Sequence, residues 1–140
     1  MYKFALSIAL TLITTLAFAE SCPTVGMIKN NLASQWQAMD SDNNKPLSTK
    51  RLAMFKHNIE QFTLAEWQSI DKKHNTMHCY YRDKNGSQLE AYLSKNDLMP
   101  LDNKKLWYQV SGSMHCAAGM DKCMFQRHIM QQQQQQLARK

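Results

Sequence analysis

Apolar residues fill most of the first nineteen positions, where Lys3 is the charged residue and Ala17 and Ala19 are small residues near the end. A basic start, a short apolar run and small residues before a cleavage point are the parts of a secretory signal peptide. The pattern therefore predicts that residues 1–19 are a signal peptide cut before Glu20. No stop-transfer pattern follows, so we expect no integral membrane segment after cleavage.

A second apolar pattern begins after Pro23, with side chains at spacings of three and four residues. These side chains are Val25, Ile28, Leu32, Trp36 and Met39. Such a stripe is typical of an amphipathic helix. The pattern predicts a helix from Pro23 to Met39 that packs on a sheet through Ile28, Leu32 and Trp36.

Turn-forming residues after this helix predict a loop. Asp40, Asp42 and Asn44 have the spacing that begins a calcium-binding loop. Lys45, however, stands at the sixth position, which requires glycine, and Arg51 stands at the twelfth, which requires a bidentate glutamate. We therefore predict no calcium site here.

The rest of the chain indicates strands and a polar tail. Residues 50–60 fit a helix or a strand, whereas residues 61–69 favour a strand. Residues 104–110 predict a further strand. The tail, residues 131–140, begins with six glutamines and has no apolar period, so we expect a frayed helix or, as the preferred alternative, a disordered tail. One domain over residues 20–130 then remains.

The best-defined element is a β-hairpin, in which residues 76–83 and 87–94 alternate apolar and polar side chains. A two-residue turn at Asn85-Gly86 would mix apolar and charged side chains on one face. A three-residue loop with Gly86 in a left-handed bulge gives one wholly apolar face, so burial favours that register. Its expected pairs are Asp83 with Ser87, Tyr81 with Leu89, Cys79 with Ala91, Met77 with Leu93, His78 with Tyr92 and Tyr80 with Glu90.

The four cysteines of an exported chain are expected to form two disulfides, for which three connectivities exist. Cys116 and Cys123 are close enough along the chain to bond to each other, which leaves Cys22 with Cys79. The charge of Glu20 argues against lipidation of Cys22. The chain has no Cys-x-x-Cys, which argues against a thiol–disulfide oxidoreductase.

Composition adds a basic balance, with 17 Lys and Arg against 11 Asp and Glu and a formal net charge of +6 at pH 7. Such a balance suits an anionic partner such as a lipid headgroup, lipopolysaccharide or nucleic acid. The basic residues are spread along the chain, which favours a solvated surface, and we expect no nucleic-acid partner. They include Lys45, Lys50, Arg51, Lys72, Lys73, Lys104 and Lys105.

Two His-Cys dipeptides, His78-Cys79 and His115-Cys116, offer a nominal zinc set. Neighbouring residues on a strand point to opposite faces, so each dipeptide can turn one side chain to a common site. The histidines also allow a general acid and base. They are His57, His74, His78, His115 and His128. Because no spacing selects a pair, we predict a non-enzymatic protein without a metal or cofactor.

The hairpin face opposite the core is the candidate partner surface. In the preferred register it gathers His78, Tyr80, Arg82, Glu90 and Tyr92. Tyrosine and arginine are enriched in protein interfaces because they combine a large contact area with a polar tip. The alternative is a face covered by another segment of the same chain.

Several features of the chain occur together in one group of proteins. They are Cys22-Pro23 after the signal peptide, the apolar helix to Trp36, the strand QFTLAEWQ, Cys79-Tyr80-Tyr81, Trp107, and Cys116 with Cys123-Met124-Phe125. In these features the chain resembles the EirA-type proteins, small exported proteins of intracellular Gram-negative bacteria associated with the Dot/Icm type IV secretion system. The resemblance implies a periplasmic, non-enzymatic accessory protein needed for secretion-system function and for replication inside a host cell.

These observations predict an α+β fold, with an N-terminal helix packed on an antiparallel β-sheet of three to five strands and two disulfides. The expected function is that of a periplasmic accessory protein that contacts a protein partner, for which a secretion-system component is the candidate. Two other functions stay open. One is a secreted inhibitor or effector that acts on host material, and the other is a small secreted hydrolase that uses histidines.

Overall fold

A computed structural model describes residues 18–71, 74–101, 105–128 and 136–139. Most of the predicted signal peptide and most of the glutamine tail lie outside these residues. In chain order the elements are α1 (Val25–Lys29), β1 (Gln37–Asp40), α2 (Thr49–Asn58), β2 (Gln61–Ser69), β3 (Asn75–Arg82), β4 (Gln88–Asn96), β5 (Leu98–Pro100), β6 (Tyr108–Val110), β7 (Ser113–Cys116) and β8 (Phe125–Arg127). No helix within these described ranges is both long enough and apolar enough to cross a membrane.

Most of this structure is antiparallel β-sheet, joined by short helices. Six strands form one sheet in the order β1-β4-β3-β2-β7-β6, and β5 pairs with β8 in a two-stranded sheet. The antiparallel sheet of the prediction is confirmed, and it has more strands than the expected three to five. The β6–β7 hairpin turns on Ser111 and Gly112, whose φ angles of 45° and 86° suit a two-residue turn of type I′.

The prediction of a helix over residues 23–39 is wrong beyond Lys29, where α1 ends. α1 has five residues and ends at its cap Asn30, after which Asn31 has a left-handed φ of 58°. Leu32 is therefore 68% exposed, and Met39 lies in β1. Asparagine favours helix ends over helix interiors because its amide competes for backbone hydrogen bonds. Two asparagines in succession thus end the helix although the apolar period continues.

The ambiguous segment 50–60 lies mainly in α2. Ser48 caps this helix, since its hydroxyl accepts a hydrogen bond from the N–H of Arg51 at 3.3 Å. Phe55 is buried in the core. Strand β2 has the predicted limits, residues 61–69.

The β3–β4 hairpin has the predicted three-residue loop. Gly86 is left-handed, with a φ of 81°, and the N–H of Asp83 donates to the carbonyl of Ser87 at 2.9 Å. Arg82 pairs with Gln88, as the predicted register requires. The loop chemistry of the sequence was therefore sufficient to place the turn.

Beyond the loop the register shifts by two residues, which corrects the other predicted pairs. Their partners are Leu93 for Cys79, Lys95 for Met77, Ser94 for His78 and Tyr92 for Tyr80. An irregularity in β4 between Gln88 and Tyr92 takes up the extra residues. Side chains alternate with a period of two, so an even shift leaves the paired side chains on their predicted faces.

Both predicted disulfides are present. Cys22–Cys79 joins the N-terminal segment to β3, with Cα atoms 5.8 Å apart. Cys116–Cys123 joins β7 to the segment before β8, with Cα atoms 5.6 Å apart. All four cysteines belong to the buried core. These bonds are compatible with an extracytoplasmic protein.

Tyr81 connects several elements in the core. Its ring packs edge-on against Phe55 and Phe62, with centroids 6.4 and 6.0 Å away. Its hydroxyl donates to the carbonyl of Pro23 at 2.7 Å. Burial raises the pKa of Tyr81, so the hydroxyl stays protonated and remains a donor.

Alanine variants of Ile28 and Leu32 test where α1 ends. Ile28 is 3% exposed and Leu32 is 68% exposed. Ile28→Ala should lower the free energy of unfolding by about 2–5 kcal/mol, because it leaves a cavity in the core. Leu32→Ala should lower it by less than about 0.5 kcal/mol. Urea titrations measure both values. A loss from Leu32→Ala as large as that expected for Ile28→Ala would mean that the longer helix exists and buries Leu32.

The two disulfides should stabilise the fold unequally. Their cysteines are 57 and 7 residues apart, and in the chain-entropy model these loops correspond to about 4 and about 2.5 kcal/mol. In denaturant titrations, the double variant Cys22→Ala/Cys79→Ala should therefore lose more stability than Cys116→Ala/Cys123→Ala. A larger loss from the second variant would contradict the importance of the long loop.

Candidate functional site

One row of side chains crosses the six-stranded sheet on the face opposite the core. Directly paired residues of neighbouring strands share a face, so the registers define the row. From β6 to β1 it consists of Tyr108, His115, Glu66, His78, Ser94 and Gln37. An adjoining row consists of Leu64, Tyr80, Tyr92 and Met39. A third row consists of Gln61, Arg82 and Gln88. We call these three rows together the polar face.

Glu66 lies near the middle of the polar face and accepts four hydrogen bonds. Its Oε1 accepts from Nδ1 of His78 at 3.2 Å, from the hydroxyl of Tyr80 at 3.1 Å and from the amide of Gln68 at 2.9 Å. Its Oε2 accepts from Nε2 of His115 at 3.0 Å. The side chain is 14% exposed, so these donors replace most of the water that a carboxylate would otherwise bind.

The same contacts fix the charge of Glu66. Its hydrogen bond with His78 is the largest of the effects that lower its pKa to about 2, against the opposing effect of burial. An ionised carboxylate only accepts hydrogen bonds. The ring nitrogens that face the carboxylate, Nδ1 of His78 and Nε2 of His115, must therefore each carry a hydrogen atom. When neutral, the two histidines hold opposite tautomers.

Aromatic rings pack beside the carboxylate. The ring of Tyr92 lies 4.5 Å from that of His78 and 5.3 Å from that of Tyr80, between centroids. The hydroxyl of Tyr92 donates to Oδ1 of Asn44 at 2.9 Å. Burial and the charge of Glu66 raise the pKa of both tyrosines, so their hydroxyls are neutral.

Two of the five predicted partner residues are largely covered. His78 is 9% exposed and Tyr92 is 4% exposed. They are covered by neighbouring rings and, at Tyr92, by Asn44 from the connection between β1 and α2. At this corner of the face, side chains of the same chain therefore cover both residues. His78 and Tyr92 pack against Tyr80 and expose little surface to a partner.

The other three predicted residues remain accessible. Glu90 is exposed, and Tyr80 and Arg82 are half-buried. Nε of Arg82 donates to the side-chain oxygen of Gln61 at 3.0 Å. At the other end of the row, Tyr108 is 49% exposed. The accessible part of the face thus combines two tyrosines with an arginine, whereas Glu90 lines a pocket with Arg51 and Met54 of α2.

The remaining histidines lie away from this face. His57 is on α2, and His128 follows β8. His74 precedes β3, with its Nδ1 2.7 Å from a carboxylate oxygen of Asp71. Of the five candidates for acid–base chemistry, the structure therefore brings together His78 and His115, through a carboxylate that separates them.

Sequence reasoning missed Glu66 and its contact with His115. The strand over residues 61–69 was predicted, but its neighbours in the sheet were not. β2 lies between β3 and β7, and β7 is about fifty residues away along the chain. The available signal was one acidic residue in a predicted strand and a histidine before each of two core cysteines. These three residues can be assigned to one site only when the strand order is known.

The chemistry of the face is that of a fixed carboxylate with oriented imidazoles and neutral hydroxyls. Within the described parts of the chain, no group of three or more His, Cys, Asp or Glu side chains is arranged to hold a metal ion. Cys79 and Cys116 are in disulfides, so neither can act as a thiolate ligand. Comparison of the chain with protein-family models, with curated proteins and with solved structures gives no match.

Replacing Glu66 by glutamine tests the network through its pH dependence. Because the pKa of Glu66 is lowered to about 2, its ionised form stabilises the fold above about pH 4.5, and this contribution is lost as the pH falls towards 2. Glu66→Gln should therefore cost on the order of 2 kcal/mol at pH 7, allowing for partial solvent screening. The difference from wild type should shrink towards pH 2.

The matched control is Glu90→Gln, which changes an exposed carboxylate on β4 of the same sheet. It should alter stability by less than about 0.5 kcal/mol at either pH. Denaturant titrations at pH 7 and below pH 3 give the comparison. A loss from Glu66→Gln that is the same at both pH values would contradict an ionised, hydrogen-bonded Glu66.

Proposed function

We propose that this is an exported envelope protein that works as an accessory factor through contacts with another protein, with the accessible part of the polar face as its partner surface. Its resemblance to the EirA-type proteins supports a periplasmic location and a role in type IV secretion and intracellular replication. The two disulfides are compatible with export.

The observation that supports this proposal is that hydrogen bonds fix the side chains of the polar face. Hydrogen bonds to Glu66 hold Tyr80 and His115 in place, and the ring of His115 lies 6.0 Å from that of Tyr108. A surface whose side chains are already ordered loses less conformational entropy when a partner binds. Exposed Tyr108 and half-buried Tyr80 and Arg82 then supply the contact area and polar tips that protein interfaces favour.

Site-specific photo-crosslinking in living cells tests the proposal. A photoreactive amino acid at Arg82 lies on the polar face, whereas one at Met54, which is 55% exposed on α2, is the matched control. We expect a discrete adduct with one envelope protein from position 82 and none from position 54. The crosslinked fraction should be periplasmic and oxidised.

A deletion strain gives the functional result. Arg82→Ala combined with Tyr108→Ala, two residues of the polar face, should fold, accumulate in the periplasm and fail to restore secretion-system activity and intracellular growth, while Met54→Ala should restore both. Full complementation by the double variant, or adducts from position 54 alone, would contradict this partner surface. Recovery of the protein outside the cell would favour a secreted effector instead.

A further inference from the structure

An apolar cavity of about 210 Å³ lies between α2 and the segment that joins α1 to β1. Its apolar lining includes Ile28, Trp36, Phe55 and Leu93. The exposed Leu32 stands between two lining residues, Asn31 and Ala33. The cavity has the volume of about seven molecules of liquid water, which suits the end of an alkyl chain and is too small for a helix.

A basic cleft of about 540 Å³ adjoins this cavity, because Lys56 lines both. Lys29, Lys84 and His57 also line the cleft, together with Glu60 and Asp83.

The acidic residues of the cleft are engaged. Glu60 pairs with Lys29 at 3.2 Å, and a carboxylate oxygen of Asp83 accepts the N–H groups of Asn85 and Ser87 at 2.8 and 3.0 Å.

Three lysines against two carboxylates leave the cleft with a formal excess of one positive charge. Nζ of Lys56 donates to the side-chain oxygen of Asn31, a neutral partner. Within the described part of the chain, neither Lys56 nor Lys84 forms an ion pair. Lys56 is half-buried and stands where the apolar cavity meets the cleft, so an anionic group there would gain a partly desolvated interaction.

We propose that cavity and cleft form one binding site for a single-chain anionic amphiphile of the fatty-acid class. The alkyl end occupies the cavity beside Trp36 and Phe55, and the carboxylate lies against Lys56 and Lys84. Ligand sites of this kind are largely apolar with a few polar groups that fix orientation, over a total of about 300–1,000 Å³. The inference goes beyond the proposed function and does not depend on it, since the polar face lies on the other side of the sheet.

Dodecanoate, used below its micellar concentration, tests the site in calorimetric titrations. Dodecyltrimethylammonium, with the same chain and the opposite charge, is the matched ligand control. We expect saturable binding of one dodecanoate per chain and at least roughly tenfold weaker binding of the cation. Comparable affinity for the two would overturn the proposal.

Variants then separate the two parts of the site. Lys56→Gln should weaken dodecanoate binding roughly tenfold, whereas Lys50→Gln, an exposed lysine of the same helix outside the cavity lining, should leave it unchanged. Ala33→Phe should fill the cavity and abolish binding. Retention of wild-type affinity by Lys56→Gln or by a folded Ala33→Phe would overturn the assignment.

Nuclear magnetic resonance of the wild-type protein keeps the test decisive if Ala33→Phe does not fold. Dodecanoate should shift the Trp36 indole and the Ile28 methyl signals, with Tyr80 on the polar face as the internal control. Shifts confined to the polar face, or a stronger effect from a peptide with an apolar C-terminal residue than from dodecanoate, would show that the ligand class is wrong.

Discussion

The disulfide between Cys22 and Cys79 ties the N-terminal segment to the face of the sheet that forms the core. It holds the N-terminal segment against the side of β3 that carries Cys79 and Tyr81, and the bond from the Tyr81 hydroxyl to Pro23 fastens the same segment a second time. Because side chains alternate along a strand, His78 and Tyr80 must then point the other way. The polar face is thus a consequence of how the core is closed.

On that other face, Glu66 connects the polar side chains of several strands, as Tyr81 connects several elements in the core. Four donors from three strands converge on one carboxylate. A mostly buried carboxylate is costly unless its lone pairs are satisfied, so each donor is held in a defined position. The tyrosines at the accessible edge are therefore supported by an ordered layer of side chains.

Local cues in the sequence were enough for the local elements. Glycine and aspartate set the loop of the β3–β4 hairpin, the strand over residues 61–69 had recognisable limits, and export together with spacing gave both disulfides. The predicted length of the N-terminal helix is wrong because the apolar period continues past Asn30 and Asn31. At these two residues, the preference of asparagine for helix ends outweighs the periodicity.

Other features depended on contacts between distant parts of the chain. The two-residue shift between β3 and β4 leaves the faces unchanged, so the alternation that selects a face could not reveal it. The Glu66 network requires β2 to lie between β3 and β7, and a strand order of that kind is set by packing of the whole domain. The apolar cavity beside Trp36 likewise exists because α1 ends early and the following segment leaves the helix path.

An ionised Glu66 orders the polar face by accepting hydrogen bonds from both histidines. Nitrogen-15 spectra of the imidazole side chains at a pH where both rings are neutral measure this directly, because the two tautomers have distinct shifts. We expect hydrogen on Nδ1 of His78 and on Nε2 of His115. Rapidly averaging tautomers at both residues, or hydrogen on the opposite nitrogens, would contradict it.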